Sequence, residues 1–260
     1  MKKIIFCAMI FVLFLGCGKK VNLYIYGGPA RIEDEDGDVY GGVYGYLLCD
    51  PILDTMSVKI NGKTADIETD FGQDYDYWFE DTVCPSPANE YKLEVKTNVG
   101  DANATCRLPG AFSITSPGDS IPTGSLTVSW STAGEADWYM VGLYLYWYDG
   151  YNYYSKDTTL YTEETSVTLS GWLDHSGYLD IDVFAGNGPK IEAGSKGNIS
   201  GAKGFWIGMN GRDKDVVVGT PAKMKIPERK PRTHKELIKG YLQWVAPYND
   251  EAKEILELMR

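Results

Sequence analysis

YMVGLYLYWYDGYNYY, residues 139–154, alternates apolar and aromatic side chains up to an Asp-Gly pair and then returns with further tyrosines. Such alternation is typical of a β-strand that buries one face. We expect the Asp-Gly pair and the two residues after it to form a short turn, so that residues 153–154 lie on the neighbouring strand. The side chains expected in the core are Val141, Leu143 and Leu145.

The same alternation places a row of tyrosines on the opposite face of this strand. Aromatic rings with a polar tip stack on sugars and anchor protein partners, so the row is a candidate binding surface. Two other interpretations stay open. Cross-strand aromatic pairs contribute about 0.2–1 kcal/mol each to a sheet without a ligand, and the C-terminal segment or another domain could cover the row. The candidate ligand-binding residues are Tyr144, Tyr146, Tyr148 and Tyr153, with Tyr154 as the alternative to Tyr153.

The composition of the whole chain agrees with a β-rich protein. The 260 residues include 19 Tyr, 29 Gly and 12 Pro, which favours many short strands joined by tight turns over a helical bundle. The length suits two cores of about 100 residues each better than a single core. The sequence therefore predicts an all-β protein with two domains.

Strand patterns in the second half of the chain follow one another in a recognisable order. SLTVSW at 125–130 precedes the alternating stretch above, which is followed by SVTLS at 166–170 with Leu173 shortly after, and by VFAGNG at 183–188. This order resembles a fibronectin type III domain. The resemblance implies a β-sandwich for residues 111–208.

Residues 21–110 show the same kinds of signal. MSVKINGKTADIE, residues 56–68, predicts a hairpin with an Asn-Gly tip. YKLEVKTNVG, residues 91–100, repeats the ending of the second domain. We therefore expect an immunoglobulin-like sandwich here, in tandem with the fibronectin type III-like one.

The N-terminus carries a predicted export signal. Lys2 and Lys3 precede an apolar run at 4–15, which is too short to span a bilayer as a helix, since about 20 residues are needed. The run ends in LFLGC at 13–17, which resembles the bacterial lipoprotein box and implies that Cys17 receives a lipid; an ordinary secretory signal is the alternative. We expect an exported protein, anchored by its lipid in the cell membrane or outer membrane and facing the periplasm or the exterior.

Charge is distributed unevenly along the chain. Residues 17–208 carry 12 Lys and Arg against 28 Asp and Glu, a net charge of −16, whereas residues 209–260 have a net charge of +3. A strongly acidic body repels nucleic acid and anionic membrane surfaces. The sequence therefore predicts no nucleic-acid partner.

The C-terminal part differs in composition from the rest. Its basic, proline-spaced residues 209–232 predict a linker, and Thr233 with Glu236 forms a capping box that begins a helical region at 233–260. Helices of this length are unstable alone in water, so they must dock on something. Docking on the acidic body and binding to an envelope partner both stay open.

Few residues suggest catalysis or metal binding. Asp174, His175 and Ser176 are consecutive, so their side chains diverge instead of forming a catalytic triad. We therefore predict no enzymatic activity and no catalytic residue. The acidic stretches at 33–38 and 70–81 offer oxygen ligands for calcium, but the EF-hand spacing is not met and solvated turns explain them better, so we assign no metal ligand and no cofactor.

Three cysteines remain after the signal segment. In an exported protein Cys49, Cys84 and Cys106 allow one disulfide with one thiol left over. Three reduced thiols packed as small apolar groups are the alternative. The sequence leaves the pairing open.

Together these observations predict a non-enzymatic, lipid-anchored cell-envelope protein that acts as a binding or scaffolding module for an envelope protein or a glycan. The alternative is a carbohydrate-binding accessory lipoprotein that uses the tyrosine row. The predicted segments are a signal peptide at 1–16, a lipid anchor and tether at 17–20, two sandwiches at 21–110 and 111–208, a basic linker at 209–232 and C-terminal helices at 233–260.

Overall fold

The structure is a computed structural model that describes residues 22–50, 53–68, 76–190, 196–221 and residue 253. These ranges are almost entirely β-strand, which confirms the predicted all-β class. The strands in chain order are β1 (Asn22–Glu33), β2 (Val39–Asp50), β3 (Met56–Ile60), β4 (Lys63–Thr64), β5 (Asp66–Glu68), β6 (Asp76–Asp81), β7 (Glu90–Thr97), β8 (Gly100–Arg107), β9 (Ile114–Ser116), β10 (Ser120–Ile121), β11 (Gly124–Trp130), β12 (Trp138–Tyr148), β13 (Tyr153–Thr162), β14 (Ser166–Leu173), β15 (Gly177–Asn187), β16 (Lys203–Trp206) and β17 (Gly208–Val218).

One ten-stranded sheet runs through the molecule, and two smaller sheets pack against it. Its main path is β13-β12-β15-β17-β1-β2-β6-β5, with β10 beside β17 and β16 beside β1. A four-stranded sheet, β4-β3-β7-β8, packs on one half, and a three-stranded sheet, β14-β11-β9, packs on the other. Both predicted sandwiches are therefore present, and they share one continuous sheet.

The first core lies between the four-stranded sheet and strands β1, β2 and β6. Strands β7 and β8 alternate buried and exposed residues, so each presents one apolar face to this core. Trp206 of β16 belongs to the same core, and its indole nitrogen donates to the carbonyl of Tyr91 at 3.1 Å. Further members are Ile25, Leu47, Val58, Phe79, Leu93 and Val95.

The second core lies between the three-stranded sheet and strands β12, β15 and β17. The predicted core residues Val141, Leu143 and Leu145 are fully buried in it, which confirms the predicted inner face of β12. Leu126 and Val128 of β11 pack from the opposite sheet. Three strands facing the four strands β13, β12, β15 and β17 form the predicted second sandwich.

The predicted linker begins too early. Residues 208–218 form β17, a central strand that pairs with β15 along its whole length and with β1 at its start. Val216 and Val218 lie in the second core. The charged residues between Gly211 and Val216 conceal the strand alternation in the sequence. The prediction of a linker is therefore wrong for residues 209–218.

The division of the chain at residue 110 also needs correction. Strand β1, near the start of the chain, pairs in parallel with both β16 and β17. Strand β16 falls within the predicted second domain, yet its Trp206 lies in the first core. Pairing between strands so distant in sequence leaves no local pattern, so the alternation of single strands could not reveal it.

An ionic cluster joins the two sandwiches where β1 meets β17. The Glu33 carboxylate is 2.6 Å from the guanidinium of Arg31 and also pairs with Arg212. The hydrogen bond from Arg212 is the main reason that the pKa of Glu33 lies below its usual value. These side chains are mostly shielded from water, so the cluster strengthens the contact between the halves.

A buried asparagine fixes the segment that connects the sandwiches. Asn210 of β17 is fully buried and donates from its side-chain amide to the carbonyls of Pro109, at 3.1 Å, and Gly110, at 2.9 Å. Buried carbonyls need such donors because water cannot reach them. The end of the first sandwich is thereby tied to the last strand of the chain's sheet.

The cysteines of the first sandwich do not pair with one another. Cys49 and Cys106 are buried in the first core, and Cys84 is exposed. Burial raises the pKa of the Cys106 thiol, which keeps it protonated at neutral pH. No disulfide joins these three residues; Cys49 and Cys106 pack as small apolar groups, as the second alternative expected, whereas Cys84 does not.

Several predictions concern residues outside those described. They are the signal peptide, the lipidated Cys17, the linker from residue 222 onward and the C-terminal helices. In the part of the chain that is described, no helix is long and apolar enough to cross a membrane.

Candidate functional site

The β12–β13 hairpin places the candidate site at its tip. Its strands pair in antiparallel register as far as Tyr148 and Tyr153. Asp149 closes the turn, since its carboxylate accepts hydrogen bonds from the backbone amides of Tyr151 and Asn152, both at 2.8 Å. These bonds, with that of Asn152 the strongest, lower the pKa of Asp149. The predicted turn is therefore confirmed, and its conformation is fixed by a charged side chain.

The four candidate tyrosines lie on one face of the hairpin. Their exposure varies: Tyr144 and Tyr148 are half-buried, Tyr146 is 37% exposed, and Tyr153 on the neighbouring strand is 64% exposed. The rings of Tyr148 and Tyr153 are adjacent, with centroids 4.8 Å apart and planes 34° apart. Tyr146 and Tyr153 are thus the more accessible of the four rings, and Tyr148 lies against Tyr153.

Tyr154 lies on the opposite face, in a second aromatic group. It stacks on Trp147 with ring centroids 5.6 Å apart and planes 17° apart, and Trp147 also stacks on His175. The Tyr154 hydroxyl donates to the Asp149 carboxylate at 3.1 Å. An open cleft of about 460 Å³ is lined by Trp147, Tyr148, Asp149, Tyr154, His175 and Ser176.

Sequence reasoning missed this cleft. It assigned no role to Trp147, and it treated residues 174–176 only as a failed triad. His175 comes from the loop between β14 and β15, so its contact with Trp147 depends on the pairing of β12 with β15. The one available signal was a histidine flanked by polar residues directly before a core strand.

The loop of residues 174–176 is held by contacts with β13. Lys156 forms an ion pair with Asp174 and donates to the backbone carbonyl of Trp172, and its ammonium lies 4.9 Å from the centroid of the Trp172 ring. The His175 Nδ1 atom is 2.9 Å from the Asp174 carboxylate. The bond from Lys156, followed by that of His175, lowers the pKa of Asp174 to about 2. The Asp174 carboxylate therefore fixes the loop beside the cleft.

The first acidic stretch considered for calcium is engaged within the fold. Glu33 pairs with two arginines, and the Asp34 carboxylate accepts a hydrogen bond from the Asp38 amide at 2.8 Å, in the turn between β1 and β2. Among the described residues, no group of three or more His, Cys, Asp or Glu side chains is arranged to hold a metal ion. Residues 70–75 of the second acidic stretch lie outside the described ranges.

Comparisons with known proteins give distant structural likenesses only. No protein family matches the sequence, and no curated protein does. Among solved structures, the chicken CNTN1 FN1–FN3 domains match with 16% identity over 76% of this chain and 68% of that chain, at a TM-score of 0.27. A marsupial T cell receptor matches with 13% identity over 80% of this chain and 76% of that chain, at a TM-score of 0.26.

An ICAM-5 D1–D4 ectodomain fragment matches with 10% identity over 80% of this chain and 55% of that chain, at a TM-score of 0.21. These values are too low for any of the three proteins to suggest a function for this chain. Its function has to be argued from its own residues.

Proposed function

We propose that this chain is a non-enzymatic, lipid-anchored cell-envelope protein that binds a partner through the tip of its second sandwich. The anchor rests on the resemblance of residues 13–17 to the lipoprotein box. The binding surface, called the aromatic tip below, consists of Tyr146, Tyr148, Tyr151 and Tyr153.

The direction of two neighbouring strands supports this proposal most strongly. Strands β1 and β17 run parallel, with Ala30 opposite Met209. Asn22 lies eight residues before Ala30, and Val218 lies nine residues after Met209. At about 3.3 Å per residue, the start of β1 and the end of β17 are therefore roughly 55 Å apart along the strands.

The aromatic tip belongs to the far end of this span. Tyr146 of β12 is paired with Tyr178 of β15, which is paired with Val217 of β17. A lipid on Cys17 would be only five residues from the start of β1, and therefore near the other end. The tip would then face away from the membrane, where a partner can reach it.

The exposure of the tip also supports binding. Tyr151 in the turn is 89% exposed, and Tyr153 is 64% exposed. Tyrosine combines a large apolar area with a polar hydroxyl and loses little conformational entropy on binding, so it is enriched in interfaces. The lowered pKa of Asp149 keeps a carboxylate charged beside these rings as a hydrogen-bond acceptor.

Photo-crosslinking in cells tests the proposal. Tyr151 is replaced by p-benzoylphenylalanine in the full-length protein, and Val83, which is 66% exposed on the first sandwich, receives the same group as a control. We expect a discrete crosslinked product from position 151 and none from position 83. Equal products from both positions, or none from position 151, would contradict binding by the aromatic tip.

Carbohydrate is the second candidate ligand, because neighbouring exposed rings beside a carboxylate are also suited to sugar stacking. A glycan array with the purified protein checks it. We expect saturable binding that is lost in Tyr146→Ser and retained in Tyr40→Ser, since Tyr40 is 38% exposed and Tyr146 is 37% exposed. Absence of binding to every glycan leaves a protein partner as the ligand.

The anchor is tested separately. We expect the wild-type protein in the membrane fraction and the Cys17→Ala variant either unprocessed or released. Release of both proteins with complete signal cleavage would show that an ordinary secretory signal is present. This result would leave the aromatic tip as a binding surface but remove its orientation relative to the membrane.

A further inference from the structure

The ten-stranded sheet has an outer face, opposite to the two cores, that carries a buried aromatic patch. Among the residues that the structure describes, the members of the patch come from this sheet and from the residue that joins β16 to β17. Tyr44 is completely buried, and Trp138 and Tyr46 are each 1% exposed. The members of the aromatic patch are Tyr26, Tyr44, Tyr46, Leu48, Trp138, Met140, Phe184, Phe205 and Ile207.

Side chains on one face of a sheet cannot remove themselves from water this completely. They stand side by side, and their outer ends stay accessible unless another layer lies on them. The burial is also local. Along β12 it falls from Trp138 and Met140, both buried, through the half-buried Tyr144 to the exposed Tyr146. Burial of this extent requires a cover of limited length, one that reaches the aromatic patch and ends before the aromatic tip.

Two rows of acidic residues lie on the same outer face between the aromatic patch and the end of β17. In the strand register Asp182 is directly opposite Asp213, and Asp180 is directly opposite Asp215. Asp157 is paired with Tyr144, which is the neighbour of Asp180. The carboxylates of neighbouring strands give this part of the outer face a negative electrostatic potential, which attracts a basic segment.

The basic residues of the same strands point the other way. Lys214 pairs with Asp119 at 2.9 Å, and Lys156 pairs with Asp174 on the inner side of the hairpin. Alternation along the strands thus separates the charges and leaves the outer face acidic. Asp182 is only 5% exposed there, so the buried region includes a carboxylate next to the aromatic patch.

We propose that residues 222–260 of this chain are the cover: the basic part crosses the acidic rows, and the apolar stripe of the predicted first helix lies on the aromatic patch. Residues 222–240 carry seven Lys and Arg against two Glu. The stripe consists of Leu237, Ile238, Tyr241, Leu242 and Val245.

The order of these features along the chain matches their order on the sheet. The aromatic patch reaches β17 near Met209, and Asp213 and Asp215 lie on the outer face between the patch and Val218. The distance along β17 from Val218 to Met209 is nine residues, or roughly 30 Å. Residues 219–232 can extend over roughly 45 Å, so residue 233 reaches the patch. Along the chain the basic residues precede the apolar stripe. On the sheet, counted from Val218, the acidic rows precede the aromatic patch in the same way.

Cleavage of the folded protein tests this proposal. A protease site is inserted between Gly219 and Ala222 of the full-length chain, and the cut protein is examined by gel filtration at low and high salt. We expect the C-terminal fragment to stay with the body at low salt and to bind at least tenfold more weakly at high salt. We expect Leu242→Asp, in the apolar stripe, to release it and Gln243→Asp, on the opposite side of the helix, to retain it.

If the body precipitates after cleavage, photo-crosslinking of the uncut chain tests the proposal instead. With p-benzoylphenylalanine at Tyr241, crosslinks are expected within one chain to peptides that contain Tyr26, Tyr44 or Phe205. Crosslinks to a second copy or to another protein would overturn the proposal. The proposal is equally overturned if the fragment separates at low salt from a body whose melting temperature is unchanged.

Discussion

Trp147 stacks on His175, with ring centroids 4.3 Å apart and ring planes 16° apart. The contact joins β12 to the loop that precedes β15, and so it fixes the wall of the cleft. Aromatic pairs of this kind contribute about 0.5–1.5 kcal/mol beyond the area that they bury. We expect His175→Ala to lower the free energy of unfolding by about 1 kcal/mol in urea titrations. His175→Phe should restore most of the loss, and equal losses in both variants would contradict a stacking contribution.

Acid should remove the contribution of the pair between Lys156 and Asp174. The folded-state pKa of Asp174, about 2, is below its ordinary value, so the pair stabilises the fold above about pH 4 and loses this effect as the pH falls toward 2. Asp174 is about half exposed, so solvent limits the effect to about 1 kcal/mol or less. We expect the stability difference between wild type and Lys156→Met to shrink between pH 4 and pH 2 in urea unfolding. A difference that stays constant across this range would contradict the assignment.

The two faces of the β12–β13 hairpin should respond differently to truncation. Leu143 is fully buried in the second core, so Leu143→Ala should lower the free energy of unfolding by about 2–5 kcal/mol. Tyr153 is mostly exposed, and Tyr153→Ser should cost about 1 kcal/mol or less, the scale of a cross-strand pair. Denaturant unfolding measures both changes. A larger loss for Tyr153→Ser would indicate that its ring reinforces the sheet instead of serving a ligand.

Replacement of Asn210 should weaken the joint between the sandwiches. Asn210→Ala leaves the carbonyls of Pro109 and Gly110 without their amide donor, which should cost about 1–3 kcal/mol. Asn103→Ala, at an exposed position of β8, should change stability by about 0.5 kcal/mol or less. Calorimetry of both variants checks the prediction, and equal melting temperatures would show that the joint does not depend on Asn210.

The parallel pairing of β1 with β16 should require a glycine at position 204. Gly204 has a φ of +116°, and a Cβ atom there would lie 1.8 Å from the Ile25 carbonyl oxygen. We expect Gly204→Ala to cost more than about 4 kcal/mol or to prevent folding. Gly118→Ala, where a Cβ meets open space, should fold normally. Circular dichroism and soluble yield compare the variants; similar values would mean that β16 can be displaced at little cost.

Local alternation was sufficient to predict the faces of single strands. Val141 and Leu143 are in the core, and Tyr146 and Tyr153 are on the outer face, because side chains in a strand alternate with a period of two. The turn at Asp149 follows equally from local chemistry. These features depend on residues that are close together in the sequence.

The features that were missed depend on residues that are far apart. Strand β17 was hidden because its charged side chains made it resemble a linker, and only its pairing with β1 and β15 shows that it is central. The stack of His175 on Trp147 requires the β12–β15 pairing in the same way. The burial of Tyr44 depends on what lies above the sheet, which no alternation within β2 can indicate.

The pairing of β1 with β17 has a consequence for the biogenesis of the protein. Arg31 and Asn210, neighbours in the finished sheet, are 179 residues apart in the chain, so this contact is among the last that a chain emerging N-terminus first can make. Until then β1 and β15 both present unpaired edges, which are prone to pair with other chains. We therefore expect folding to depend on a holding chaperone, and a chain interrupted near residue 200 to aggregate although most of both sandwiches has been synthesised.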